Sequence, residues 1–143
     1  MTTENAFEVH KLPAEMTVPC SENAAKQILD FTDACMTCVE ISLKKANRLR
    51  IAVDEVCTNI VSYSGAAEIR CAFAVKDGEI QFSICDDGVP YNPLMQDTPD
   101  VTATAEERPF GGLGILLVKR LMDRVEYQYS AAQNILTLYM KLD

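Results

Sequence analysis

Two runs of alternating apolar and polar residues meet at Asp77-Gly78, and nothing else in the chain constrains its fold as much. In the first run Ile69, Cys71, Phe73 and Val75 alternate with Glu68, Arg70 and Lys76. In the second, Ile80, Phe82 and Ile84 alternate with Gln81, Ser83 and Cys85. A period of two puts each set on one face of a strand, and Asp-Gly suits the positive backbone angles of a two-residue hairpin turn. The two strands are therefore expected to pair antiparallel, with one apolar face that other elements must cover. A second alternating pair, VEYQYS and ILTLYMKL around Ala131–Asn134, closes the sequence.

Amphipathic helices supply the cover. Ser21 is a suitable N-cap with Glu22 in the first turn, and Ala25, Ile28, Leu29, Thr32, Cys35 and Met36 form the buried side of the helix that follows. Ser42 caps a second helix running to about Tyr63, with Leu49, Ala52, Val53, Val56 and Ile60 as its core stripe. Ser64-Gly65 ends it, glycine being the usual residue past a helix end. Ile115, Val118, Leu121, Met122 and Val125 mark a third. Phe7 and Val9 read as one face of a short strand over residues 6–10, and Pro13 and Pro19 bracket a loop. The expected fold is α/β (α+β): a two-layer sandwich with a mostly antiparallel mixed sheet and about three helices on one face. With 143 residues it forms a single domain over 1–143. No period holds from Asp87 to Phe110, a length that points to a lid over about 87–111.

Bulk properties exclude several functions. A net charge of −8 argues against direct binding to nucleic acid or to an acidic membrane. No apolar run approaches the length of a membrane span, and MTTENAFEVHK lacks the regions of a signal peptide, so a cytoplasmic protein is expected. Of the six cysteines, Cys35 and Cys38 form a lone C-x-x-C, and His10 is the only histidine. The cysteines therefore read as small buried hydrophobes rather than a zinc or redox site.

Three features carry chemistry. Gly111, Gly112 and Gly114 run into the third helix, whose first N–H groups have no partner within the helix, so a phosphate can approach closely there. Glu55 and Asn59 lie four apart on the second helix, about 40° from each other, and Ser62 continues that line. A carboxylate there suits a general base, and an amide oxygen suits Mg²⁺. Asp86 shares the core-facing side of its strand with Ile80, Phe82 and Ile84, where a carboxylate needs a donor partner such as the amine of adenine. Gly88 lets the chain turn away beside it. Solvated helix faces and ordinary turns account for each feature taken singly. The spacing of the glycines fits neither a P-loop nor a Rossmann turn.

Together, RIAVDEVCTNIVSYS, ICDDGVPYNPL and GGLGILLVKRLMDRVEY resemble the three boxes of the GHKL ATPases, the group that includes gyrase and histidine kinase catalytic domains. The match is best with their compact bacterial branch, the anti-sigma-factor serine/threonine kinases, and covers about Phe7 to Leu142. The resemblance implies ATP and Mg²⁺ as cofactors, with Glu55 as the catalytic base and Asn59 as the Mg²⁺ ligand. It implies that Asp86 reads adenine with Gly88 beside it, and that Gly111, Gly112 and Gly114 form the phosphate-side hinge of the lid in the ATP site. Arg108 and Lys119 are candidate phosphate contacts. Pro90 replaces a family glycine, which should stiffen the rim, and Thr137 is the nearest candidate for a family threonine on the late strand. The implied function is an ATP-dependent kinase that phosphorylates a STAS-type anti-anti-sigma protein and holds a sigma factor, with a possible homodimer. The alternative is an ATP-binding regulatory module without transfer. A histidine kinase is disfavoured, because His10 falls in an expected strand and not on a helical hairpin.

Overall fold

The computed structural model describes residues 11–95 and 112–143. Five strands form one sheet: β1 (Ala14–Pro19), β2 (Glu68–Lys76), β3 (Glu79–Asp86), β4 (Arg124–Ser130) and β5 (Gln133–Lys141). Their spatial order is β1-β2-β3-β5-β4, and all four pairings are antiparallel. Helices α1 (Ala24–Met36), α2 (Leu43–Tyr63) and α3 (Gly112–Leu121) make the second layer. This is the expected two-layer sandwich. Among the described residues no helix is long and apolar enough to cross a membrane.

The alternation seen in the sequence determines which face is buried. Ile69, Cys71, Phe73, Ile80, Phe82, Ile84, Leu138 and Met140 turn inward and are almost fully buried. Phe82 stands edge-on to Phe31 of α1 and to Phe73 of β2, with ring centroids 6.4 and 5.9 Å apart. Burial of one such side chain is worth about 1.5–3 kcal/mol. Apolar packing of this kind holds the layers together, whereas the exposed Lys26–Asp30 pair lies within α1 and contributes no more than about 1 kcal/mol to that helix. The Asp77-Gly78 hairpin forms as expected, with φ of 54° and 75°.

Several local expectations are corrected. The stretch bracketed by Pro13 and Pro19 is a strand, β1, paired with β2 from Ala14↔Phe73 to Pro19↔Glu68. It lies at the sheet edge, where proline is tolerated at a strand end because one side makes no ladder bonds. The expected strand at 6–10 lies outside the described residues. Val125 belongs to β4, because α3 stops at Leu121 and the chain bends before Arg124. Asn134, expected in the last turn, is already in β5, and the turn itself is Ala131-Ala132 with φ of 53° and 62°.

Helix α2 starts as read, with Ser42 Oγ accepting from Lys45 N at 3.2 Å. Helix α1 starts later than read, with Asn23 as its N-cap. Ser21 O accepts from Ala24 N at 3.0 Å, just outside the helix. The buried side of α1 centres on Ala24, Ile28, Phe31 and Cys35, with Ala25, Leu29 and Met36 only half-buried. Thr32 lies in the core because its hydroxyl donates to Ile28 O at 2.7 Å. Cys35, Cys57, Cys71 and Cys85 are buried, as packing residues should be, whereas Cys38 is exposed. Burial pushes the Cys35 thiol up to about 12, well away from a reactive thiolate.

Candidate active site

A cavity of about 270 Å³ lies where the C-terminal half of α2, the ends of β3 and β5, and the start of α3 converge. Apolar residues form most of its wall, including Val56, Ile60, Ile84, Ile115, Val118 and Leu136. The polar groups entering it include Glu55, Asn59, Asp86 and Asn134. A small, mostly apolar cleft with a few convergent polar groups is the usual form of a ligand site.

Helix periodicity brings Glu55, Asn59 and Tyr63 to the cavity along the i, i+4 row of α2. Ser62, expected on that line, is exposed and does not line it, because the i+3 row turns toward solvent. Asn59 is half-buried, and its amide makes no hydrogen bond among the described residues. Glu55 rests against α3: a Cβ at Gly114 would lie 2.7 Å from Glu55 Oε2. Glycine at 114 thus keeps room for this carboxylate. Gly112 opens α3. Gly111 and Arg108 lie outside the described residues, as does most of the expected lid. Lys119 is exposed and one position beyond the lining residue Val118, so the described structure does not bring it to the cavity.

Asp86 ends β3 on its buried face and is only 5% exposed. Its Oδ1 accepts from Gly88 N at 2.9 Å and from Asn134 Nδ2 at 3.2 Å. Among the described residues Oδ2 accepts no hydrogen bond. Burial pushes the Asp86 carboxyl above its ordinary value, and these two donors pull it back only in part. A carboxylate kept ionised there calls for a further donor from the cavity. Gly88 is required by close approach. A Cβ there would meet Ser64 O at 2.4 Å, and the neighbouring Val89 N donates to Ser64 O at 3.1 Å. Asp87 faces the opposite way. Its Oδ1 accepts from Glu68 N at 3.2 Å and Ala67 N at 2.8 Å, which holds its carboxyl below the usual value and ties the end of β3 to the start of β2. Past Asp87 the chain runs through Val89, Pro90 and Tyr91 to a short 3-10 turn at Pro93–Met95, and this first part of the expected lid lines the cavity.

Sequence reasoning missed Asn134. It pairs with Asp86 in the β3–β5 register, and its side chain bonds five groups. Nδ2 donates to Asp86 Oδ1, to Val89 O at 2.9 Å and, more weakly, to Gly88 O at 3.5 Å. Oδ1 accepts from Tyr91 N at 3.0 Å and from the Tyr127 hydroxyl. The available signal was its parity with Leu136, Leu138 and Met140, which marks a polar residue on the buried face. Thr137 has the opposite parity. It pairs with Ser83 and Glu126 on the face away from the helices, so it does not reach the cavity.

Comparison with known proteins agrees with this architecture. Residues 18–140 match the family described as the histidine kinase-like ATPase domain. The chain is similar to the serine-protein kinase RsbW of Bacillus thuringiensis, 28% identical over 95 residues, which covers 62% of this chain and 59% of that protein. RsbW of Bacillus mycoides is 27% identical over the same coverage. The match thus spans 59% of the length of these curated relatives. Among solved structures, the RsbU and RsbW domains of Rv1364c from Mycobacterium tuberculosis align with a TM-score of 0.66 at 17% identity, covering 92% of this chain and 33% of that one. The histidine kinase AdeS of Acinetobacter baumannii aligns with a TM-score of 0.50 at 15% identity, covering 91% and 68%. At these identities the two structures support the fold alone.

Proposed function

This chain belongs to the histidine kinase-like ATPase family, and we propose that it binds ATP between α2, β3 and α3 and transfers the γ-phosphoryl group to a protein serine or threonine. The observation that carries this reading is the buried Asp86, which keeps one carboxylate oxygen for a donor in an apolar cavity that Glu55 and Asn59 also line. The apolar walls suit a purine ring, and Asp86 Oδ2 suits its exocyclic amine. Glu55 lies against the start of α3, where the first backbone N–H groups have no partner within the helix and so favour phosphate. Similarity to RsbW supports the choice of acceptor. We assign the partners on the same basis, as a STAS-type anti-anti-sigma protein and a sigma factor, and the location as cytoplasmic.

Each residue has a definite task in this reading. The Asp86 carboxylate orients the base. The Glu55 carboxylate accepts the proton of the acceptor hydroxyl as its oxygen bonds to the γ-phosphorus. The bond from that phosphorus to the bridging β–γ oxygen breaks, and ADP leaves. Asn59 fits Mg²⁺ by its oxygen and by having no hydrogen-bond partner among the described residues. Among the described residues no group of three acidic, histidine or cysteine side chains forms a metal cage, so most of the ion's ligands would be phosphate and water. When bound, Mg²⁺ supplies neutralising charge beside the phosphates.

The test combines Mg·ATP calorimetry with phosphoryl transfer to a STAS-type protein. Glu55→Ala should keep binding and lose about 10²–10⁴-fold in transfer. Asn59→Ala should weaken Mg²⁺-dependent binding. Absence of binding by the wild-type chain refutes the nucleotide reading. Binding without transfer to any acceptor leaves the non-catalytic regulatory module as the function.

A further inference from the structure

We infer that Asn134, held by Tyr127, is a positioning residue that makes the cavity select adenine over guanine. The inference rests on the nucleotide reading above and adds a reason for base choice.

A carboxamide offers two donor hydrogens and two acceptor lone pairs. Asn134 uses all four. Its oxygen faces the Tyr91 N–H, which can only donate, as well as the Tyr127 hydroxyl. Its nitrogen faces Asp86 Oδ1 and the Val89 carbonyl, with the Gly88 carbonyl at 3.5 Å sharing a hydrogen, and all three can only accept. Exchanging the amide's oxygen and nitrogen would set donor against donor and acceptor against acceptor, so the neighbours determine its orientation. Asn134 therefore has no capacity left for a ligand. Its effect on the cavity passes through Asp86.

That effect is to make the carboxylate one-sided. Gly88 N and Asn134 Nδ2 fill Oδ1, which leaves Oδ2 for the ligand. Adenine needs one acceptor at its edge, for the exocyclic amine. Guanine places N1–H and the N2 amine side by side, and a carboxylate satisfies both only with both oxygens. Here one guanine donor stays unpaired in a buried apolar site, a mismatch that weakens binding by roughly 10- to 100-fold. Tyr127 lies on the edge strand β4, and its hydroxyl steadies the Asn134 oxygen so that the amide hydrogens keep pointing at Asp86 and Val89.

The experiment measures dissociation constants for ATP and GTP by calorimetry, on the wild type and on Asn134→Ala, Asn134→Thr and Tyr127→Phe, with a thermal melt of each. Wild type should prefer ATP by roughly tenfold or more. Asn134→Ala should shrink that preference by removing one of the two donors on Oδ1, which leaves that oxygen able to accept from the ligand. Tyr127→Phe should shrink it less, and Asn134→Thr, which keeps one donor, should restore part of it. If Asn134→Ala does not fold, Tyr127→Phe and Asn134→Thr carry the decision. Equal weakening of both nucleotides in the variants means the amide only supports the fold, and the inference fails while the ATP site stands. Equal binding of ATP and GTP by wild type overturns it in the same way. No binding of either nucleotide by wild type removes the site and the inference together.

Discussion

The carboxylate of Glu55 occupies the space that a side chain at Gly114 would need, with an ideal Cβ only 2.7 Å from Oε2. The two residues lie on different helices, α2 and α3. One supplies the proposed base, and the other makes room for it. This contact separates what the position does for stability from what it does for chemistry.

Gly114→Ala should therefore leave the fold intact while impairing transfer. Alanine in place of glycine within a helix stabilises it by about 1 kcal/mol, and the obstructing atom is the far end of a flexible side chain. The displaced Glu55 carboxylate then loses its position. Thermal melting should show an unchanged or higher Tm, with phosphoryl transfer well below wild type. Full transfer activity in a folded variant would show that the position of Glu55 beside α3 is immaterial.

Gly88→Ala should behave differently, because its Cβ would meet backbone at Ser64 O, 2.4 Å away. Backbone cannot swing aside as a side chain can. The loop after β3 must move, and the Val89–Ser64 hydrogen bond goes with it. The expected cost is about 1–3 kcal/mol, read as a drop in Tm or in the urea midpoint. A melt superimposable on wild type would contradict the close packing.

Asp86→Asn should trade binding for stability. Burial raises the folded-state pKa of Asp86 above its unfolded value, so the ionised form costs stability at neutral pH, and that cost disappears as pH falls through the raised pKa. The asparagine variant should melt at the wild-type temperature or higher at neutral pH, with the advantage fading in acid. Wild-type ATP affinity should begin to fall on acidification at a higher pH than an exposed carboxylate would dictate. A lower Tm for the variant at neutral pH would reverse the sign argued here.

The final turn invites a stabilising change. Ala131 and Ala132 both adopt positive φ, which costs an L-residue about 1–2 kcal/mol. Replacing the pair with Asn-Gly, the usual sequence for such a turn, should gain about 1 kcal/mol after the greater unfolded-state freedom of glycine is counted. Differential scanning calorimetry should show a Tm a few degrees higher, and no increase would mean that contacts elsewhere already compensate.

Much of the molecule was legible from local pattern. Period-two alternation and Asp77-Gly78 identified β2 and β3 as a hairpin and showed which face is buried, because a strand can bury only one parity. Ser42 and the stripe from Leu49 to Ile60 delimited α2, since capping and helical period are local properties of the chain. The same parity placed Asp86 inward, and helical spacing put Glu55 and Asn59 on one wall. What the sequence left open depended on contacts between distant segments. Strand β1 read as a loop because its prolines are tolerable only at a sheet edge, and edge position is a property of the whole sheet. Asn134 read as part of a turn because its role comes from lying opposite Asp86, 48 residues earlier, in a register that only strand pairing sets. The need for glycine at 88 and 114 likewise arises where α2 packs against the end of β3 and against α3, a tertiary contact that no local pattern encodes.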